Sequence, residues 1–372
     1  MTALLDLSNE FDLRGRIYLD GASQGPMARR AIAAAERALD WKRDPSGLND
    51  REYFALPDRI RGAASELLGC CPQDIAVATG ASHGISLVAC GLDWRADDHV
   101  VVPTGEFPAN NLPWLGLRAL GVEVEFVDPD DVSEAICPRT RAVSVGHVNF
   151  ATGRRLDLDD IGAACERHDA LFLVDASQSA GAIPLDVVRC KATVVAIAGY
   201  KWLMSPYGTG ITYVHPEWVG QFRLPAFNWA TIVGADDFNR LADLVPQHRP
   251  GAIRFDVPET AAFIHGAAMA ESLELLVETG VDAVNAHATC LLDRLIAGLP
   301  DSFRIASPLA PGQRSTIMRL VGRRADLTLE AHARLREAGV GVSLREGGLR
   351  VAPGIWNAER DIDVFLASLS DL

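Results

Sequence analysis

Short apolar runs rich in β-branched residues recur along the chain. They alternate with stretches whose apolar positions repeat at helical spacing. Residues 75–78, 100–102, 122–127, 142–145, 170–174, 194–197 and 211–214 read as strands, several of them apolar enough to be buried on both faces. A short strand at 17–19 and a loop at 20–26 come before a helix at 27–41. Residues 56–68, a segment opening at Thr79 to Gly84, and residues 157–168 give further helices. This rhythm predicts an α/β fold around a mostly parallel sheet.

Beyond residue 214 the pattern changes. A long helix at 261–279, stopped by Gly280, is expected to lead into a second unit. That unit reads as helix 283–297, strand 316–320, helix 328–338, strand 340–344, the segment Leu349-Arg350-Val351 and a last helix. The expected division is a large domain over 1–260, a linking helix over 261–280 and a small domain over 281–372. The first 25 residues could join the small domain.

With 372 residues, 48% of them hydrophobic, the chain can bury a large core. A formal net charge of −14 argues against nucleic acid or an anionic membrane as partner. No apolar run approaches the ~18 residues of a membrane span, and the first residues lack a basic segment followed by an apolar one, so the cytoplasm is the expected location. The seven cysteines have no metal-ligand spacing, so no metal site is expected, and they read as small buried hydrophobes.

Against this background one residue type is conspicuous. Lysine and arginine together number 35, yet the lysines are only Lys42, Lys191 and Lys201. Lys42 and Lys191 sit among polar or strand-flanking positions and read as surface charges. Lys201 lies between two apolar strands, in a loop carrying Gly199, Pro206, Gly208 and Gly210, residues suited to tight turns. Imine formation with an aldehyde needs a primary amine and rejects a guanidinium. Asp175 ends the apolar run 170–174, where it can hold the protonated ring nitrogen of pyridoxal phosphate. The turn Thr79-Gly-Ala-Ser-His-Gly84 offers backbone N–H groups at Ala81 and Ser82, with the Ser82 hydroxyl, to a phosphate. A serine there also caps helices for structural reasons alone.

The run Val174-Asp-Ala-Ser-Gln-Ser-Ala-Gly-Ala-Ile-Pro-Leu-Asp186, with Gly199-Tyr-Lys-Trp-Leu203 and Pro206-Tyr-Gly-Thr-Gly210, resembles the class V aminotransferase family. The resemblance implies the type I fold of pyridoxal phosphate enzymes, with a mostly parallel seven-stranded sheet, a smaller C-terminal α/β domain and a homodimer. It implies that Phe107 stacks on the cofactor ring, that Asn149 meets the ring hydroxyl and that Gln178 meets the ring oxygen or imine. Phe107 could equally pack its loop down, and His147 reads as a structural hydrogen-bonding residue. Relatives often show Arg-Phe-Glu then Gly-Thr, whose threonine reaches the partner subunit's phosphate. Here Arg254-Phe-Asp256 is followed by Pro258-Glu259, with Thr260 one step on. Leu349-Arg-Val-Ala-Pro353 and Trp356-Asn-Ala-Glu-Arg-Asp-Ile362 resemble the motif in which the arginine, Arg350 here, binds the substrate α-carboxylate. The loop at 20–26 reads as a substrate entrance or as a plain turn.

The expected activity is removal of the Cα proton of an amino acid by Lys201, with Asp175 supporting the cofactor. Cysteine desulfuration needs a thiol on the loop before Arg350, and no cysteine follows Cys290. Transamination is the leading expectation. Elimination or kynureninase-like cleavage, epimerisation, and a silent binding protein are the alternatives.

Overall fold

The computed structural model describes residues 4–7, 9–47, 50–223, 227–259, 262–370 and 372, without the side chains of 50–52. The chain begins with β1 (Ile17–Tyr18), α1 (Arg29–Arg43) and α2 (Asp50–Leu68). Next come β2 (Ile75–Ala78), α3 (Ala81–Gly91), β3 (His99–Pro103), α4 (Leu112–Leu117), β4 (Glu123–Val127), α5 (Val132–Ala135) and β5 (Thr140–Gly146). The central stretch holds α6 (Leu158–Arg167), β6 (Leu171–Asp175), β7 (Val194–Ala198) and β8 (Gly210–Val214). The C-terminal part holds α7 (Phe263–Thr279), α8 (Val281–Gly298), β9 (Phe303–Ile305), β10 (Met318–Gly322), α9 (Leu327–Glu337), β11 (Val340–Gly341), β12 (Ser343–Arg345), β13 (Gly348–Val351) and α10 (Glu359–Leu369).

The expected seven-stranded sheet is present, in the order β2-β8-β7-β6-β5-β3-β4. Its paired strands run parallel, except that β8 is antiparallel to both β2 and β7. Strands β3, β7 and β8 are buried at every position, which is why their sequences show apolar runs rather than alternation. The carboxyl ends of β2, β6 and β7 lie side by side with β8 between β2 and β7, and loops leaving such ends are where open α/β sheets bind ligands.

A four-stranded antiparallel sheet, β12-β13-β10-β9, forms the core of the C-terminal part with α8, α9 and α10. The N-terminal segment joins it: β1 pairs parallel with β11, Asp20 bridges Ala352, and Leu19 is buried in the same core.

Several elements differ from the sequence reading. The strand expected at 340–344 is two pieces, because β11 pairs with β1 while β12 turns to pair with β13. The strand expected at 316–320 starts at Met318. Just before it, Ser315 is tied to the loop after β5, donating to the Gly153 carbonyl at 2.6 Å. Helix α2 begins earlier than expected, and its first turns gain an aromatic cluster in which Tyr53 contacts Phe54, Trp229, Phe238 and Phe263. Among the described residues, no helix is long and apolar enough to cross a membrane, and no group of histidine, cysteine or acidic residues could hold a metal ion.

Candidate active site

Lys201 stands three residues past β7, 8% exposed, with its Nζ facing a cavity of about 140 Å3. Thr79, Ala81, Ser82, Phe107, Asp175 and Tyr207 are among the residues around it. Nζ lies 5.5 Å from the centroid of the Phe107 ring and 5.8 Å from that of Tyr200. Burial pushes the amine's pKa below the ordinary lysine value, Asp175 opposes this, and Arg350 adds to it.

Asp175 is the last residue of β6. Its Oδ1 accepts the Ser177 N–H at 2.9 Å, and Ser177 Oγ accepts the Ala198 N–H at 3.0 Å, which ties β6 to β7 beneath the cavity. The second oxygen, Oδ2, has no hydrogen-bond partner among the described residues. The backbone N–H groups of Ala81 and Ser82, at the start of α3, likewise make no hydrogen bond. Beside them the chain passes so close to itself that a Cβ on Gly210 would lie 2.6 Å from Gly80 Cα. A free carboxylate oxygen, an unpaired amine and a helix start with open N–H groups form a donor and acceptor set that suits an aromatic aldehyde carrying a phosphate.

Other expected site residues are placed differently. Gln178 is buried, its amide donating to the Ala22 carbonyl at 2.9 Å and accepting from Trp202 Nε1 at 3.1 Å. It braces the N-terminal loop rather than lining the lysine cavity. Asn149 Oδ1 accepts from the N–H groups of Ala151 and Thr152 and from the Thr152 hydroxyl, while Nδ2 donates to the Gly105 carbonyl at 2.8 Å. It clasps two loops together on the wall of a neighbouring cavity. His147 hydrogen-bonds through its backbone, its N–H meeting the Asp175 carbonyl at 3.0 Å, whereas its ring Nδ1 is buried without a partner. Burial pushes that ring's pKa down to about 3, so it stays neutral. Thr260 lies outside the described residues.

Arg350 is 2% exposed rather than on the surface. It donates to Asp20 Oδ1 at 2.9 Å, to Ser23 Oγ at 2.5 Å and to the Phe150 carbonyl at 2.8 Å, and its Nε has no partner. The Ser343 hydroxyl also donates to Asp20. The loop at 20–26 therefore does more than turn the chain: it joins Arg350 to the lysine loop, because the Gly25 N–H donates to the Tyr200 carbonyl at 2.9 Å. Sequence reasoning missed Tyr200, Tyr207 and His83 as lining residues. Tyr200 immediately precedes Lys201, Tyr207 follows in the same loop, and their ring centroids lie 4.5 Å apart with the planes tilted by 36°.

The class V aminotransferase family model matches residues 17–362. The chain belongs to that family. This class V chain is 28% identical over 301 residues to a probable cysteine desulfurase of Methanothermobacter thermautotrophicus, covering 77% of this chain and 72% of that protein. It is 28% identical over 327 residues to the kynureninase of Deinococcus radiodurans, covering 82% and 78%. Its fold matches a mutant of C-DES, solved with glycine covalently linked to the pyridoxal phosphate cofactor, with a TM-score of 0.88, 22% identity and 99% of both chains covered. Like its family, it is a pyridoxal phosphate-dependent enzyme, and Lys201, Asp175 and the start of α3 fit that cofactor.

Proposed function

We propose that the chain is an aminotransferase acting on the α-amino group of an amino acid. The reading is carried by Lys201, a buried primary amine with no hydrogen bond or ion pair to any described residue and with its pKa pushed down by burial. Bound here, pyridoxal phosphate supplies an aldehyde carbon and a ring that withdraws electrons from the substrate Cα. Asp175 holds a proton at the ring nitrogen through its free Oδ2, and the N–H groups of Ala81 and Ser82 hold the phosphate. Lys201 would take the proton from Cα and give it up, on the same face, at the carbon that the aldehyde supplies. A lowered pKa keeps more of the amine neutral and ready to accept it. Phe107 forms one wall of the cavity, its ring centroid 5.5 Å from Lys201 Nζ. Arg350, already oriented by Asp20 and Ser23, fixes the α-carboxylate.

One amine serving as both base and acid suits transamination. Epimerisation calls for a second base, and Phe107 offers none. No cysteine lines the lysine cavity, which leaves the thiol route of cysteine desulfurases without a nucleophile. A homodimer belongs to the same proposal, supported by family membership. Sedimentation showing an active monomer would remove it.

The test is to mix the cofactor-loaded protein with a panel of L-amino acids without an acceptor. Stoichiometric keto acid together with conversion of the cofactor to its amine form supports transamination. Catalytic release of ammonia, or solvent deuterium at Cα of a racemised product, would replace it with elimination or epimerisation.

A further inference from the structure

The sheet β12-β13-β10-β9 has two unlike faces. Arg319 lies opposite Arg350, Ser343 also lies opposite Arg350, Arg345 lies opposite Gly348, and Arg304 lies opposite Val321. Side chains alternate across a strand and opposed residues share a face. Arg304, Arg319, Arg345 and Arg350 therefore leave the same face, one from each strand. The other face presents Phe303, Met318, Leu320, Leu349 and Val351 to the small-domain core. None of the four strands contains an aspartate or glutamate. In a chain of net charge −14 this is a local reversal of sign.

Arg350 has its counter-ion in Asp20, whereas its cross-strand neighbour Arg319 has none among the described residues. Arg319 lines a cavity of about 690 Å3 shared with Glu106, Asn149, Phe150 and Glu346. The loop at 104–108 walls this cavity on one side and turns Phe107 toward Lys201 on the other. Position 348 must be small for Arg319 to lie there, since a Cβ would sit 2.6 Å from Arg319 Cγ. Among the described residues Arg319 Nε is buried without a partner, and NH1 reaches only the Glu346 carbonyl at 3.4 Å. Arg345 forms no ion pair among the described residues; it donates to the Leu344 carbonyl at 2.8 Å and touches Ser23 Oγ, which Arg350 also uses, at 3.4 Å. Among the described residues no acid around the cavity pairs with Arg319: Glu106 accepts the Gly146 N–H, Asp128 accepts the Asp130 N–H, and Glu346 is exposed at the hairpin turn. The remaining guanidinium there, that of Arg154, is paired with Asp130.

We propose that Arg319, flanked by Arg345, binds a second anionic group at the far end of the substrate, so that the enzyme selects amino acids with acidic side chains. A planar fork of N–H groups suits a carboxylate, sulfonate or phosphate. A partly buried guanidinium without a counter-ion gains most when one arrives. The inference rests on the aminotransferase reading, with the α-carboxylate at Arg350.

The test is a spectroscopic titration of the cofactor-loaded enzyme with L-aspartate, L-glutamate, L-cysteate and L-phosphoserine against L-asparagine and L-glutamine. The acidic members should bind at least about tenfold tighter than their neutral isosteres, and the best of them identifies the anion. Arg319→Met should weaken the acidic ligands by roughly ten- to a hundredfold while leaving the neutral ones unchanged, with Arg345→Met smaller in the same direction. Arg319→Gln substitutes should the first variant not fold. Equal affinity for acidic and neutral amino acids in the wild type, or equal weakening of both by Arg319→Met, overturns the inference. If no amino acid shifts the spectrum, the activity reading fails first, and calorimetry with succinate then decides for the arginine face. Binding lost in Arg319→Met keeps it, and no binding in the wild type discards it.

Discussion

Lys201 and Arg350 are both buried, and near enough for Arg350 to act on the lysine's pKa, yet the chain treats them in opposite ways. The Lys201 amine has no hydrogen bond and no ion pair among the described residues, and burial lowers its pKa. Arg350 is held by a carboxylate, a hydroxyl and a carbonyl. An amine that must give and take protons profits from being left alone in an apolar wall, because the neutral form is then within reach. A guanidinium that must stay charged and point one way profits from being pinned. Reactivity is built by withholding partners, and orientation by supplying them.

The largest expected effect comes from crossing the two roles. Lys201→Arg keeps the charge but removes the adjustable amine. It should abolish covalent cofactor attachment and lower turnover by on the order of a thousandfold or more, as should Lys201→Ala. Retained turnover in Lys201→Arg would end the contrast.

At Arg350 the expected loss is one of stability. Arg350→Met strands Asp20 in the interior and should cost about 3–5 kcal/mol in urea unfolding, most of it recovered by adding Asp20→Asn. Simple additivity of the two changes would show that the pair is not coupled.

Glu106 sharpens the comparison from the acidic side. Burial, with the like charge of Asp175 adding, pushes its carboxyl from the ordinary 4.5 up to about 7, against the Gly146 N–H, which lowers it. An acid whose folded pKa is raised loses stability as pH climbs from about 4.5 to about 7, and a penalty of about 3 kcal/mol then persists above that range. Glu106→Gln should therefore match wild type near pH 4 and exceed it increasingly up to a plateau above pH 7. A difference independent of pH would refute the shift. The smallest effect is expected at Asn149. Asn149→Ala should lose about 1–2 kcal/mol of stability through the released loops and leave cofactor affinity unchanged, whereas a fall in that affinity would restore its expected role as a ligand.

The two halves of the site were unequally legible in the sequence. Asp175 ends a strand and Lys201, Ala81 and Ser82 follow strands by a few residues, so local pattern and chemistry place them together, and the family resemblance adds Phe107. The Asp20–Arg350 pair joins residues 330 positions apart, and no local signal connects them. The family resemblance marks Gln178 and Asn149 as ligands. In the fold the Trp202 indole donates to Gln178 and the Gly105 carbonyl accepts from Asn149, contacts that no local pattern announces. The arginine face is the extreme case. Positions 304, 319, 345 and 350 mean nothing together until strand register collects them, and a shift of one residue would scatter them across both faces.

The central claim is that Lys201 is the amine that carries the cofactor. Reducing the pyridoxal phosphate-loaded protein with borohydride and mapping its peptides by mass spectrometry tests this most directly. The account predicts the cofactor's added mass on the peptide containing Lys201 and on neither Lys42 nor Lys191. An unmodified Lys201 in protein that holds the cofactor, or the mass on another lysine, would contradict it.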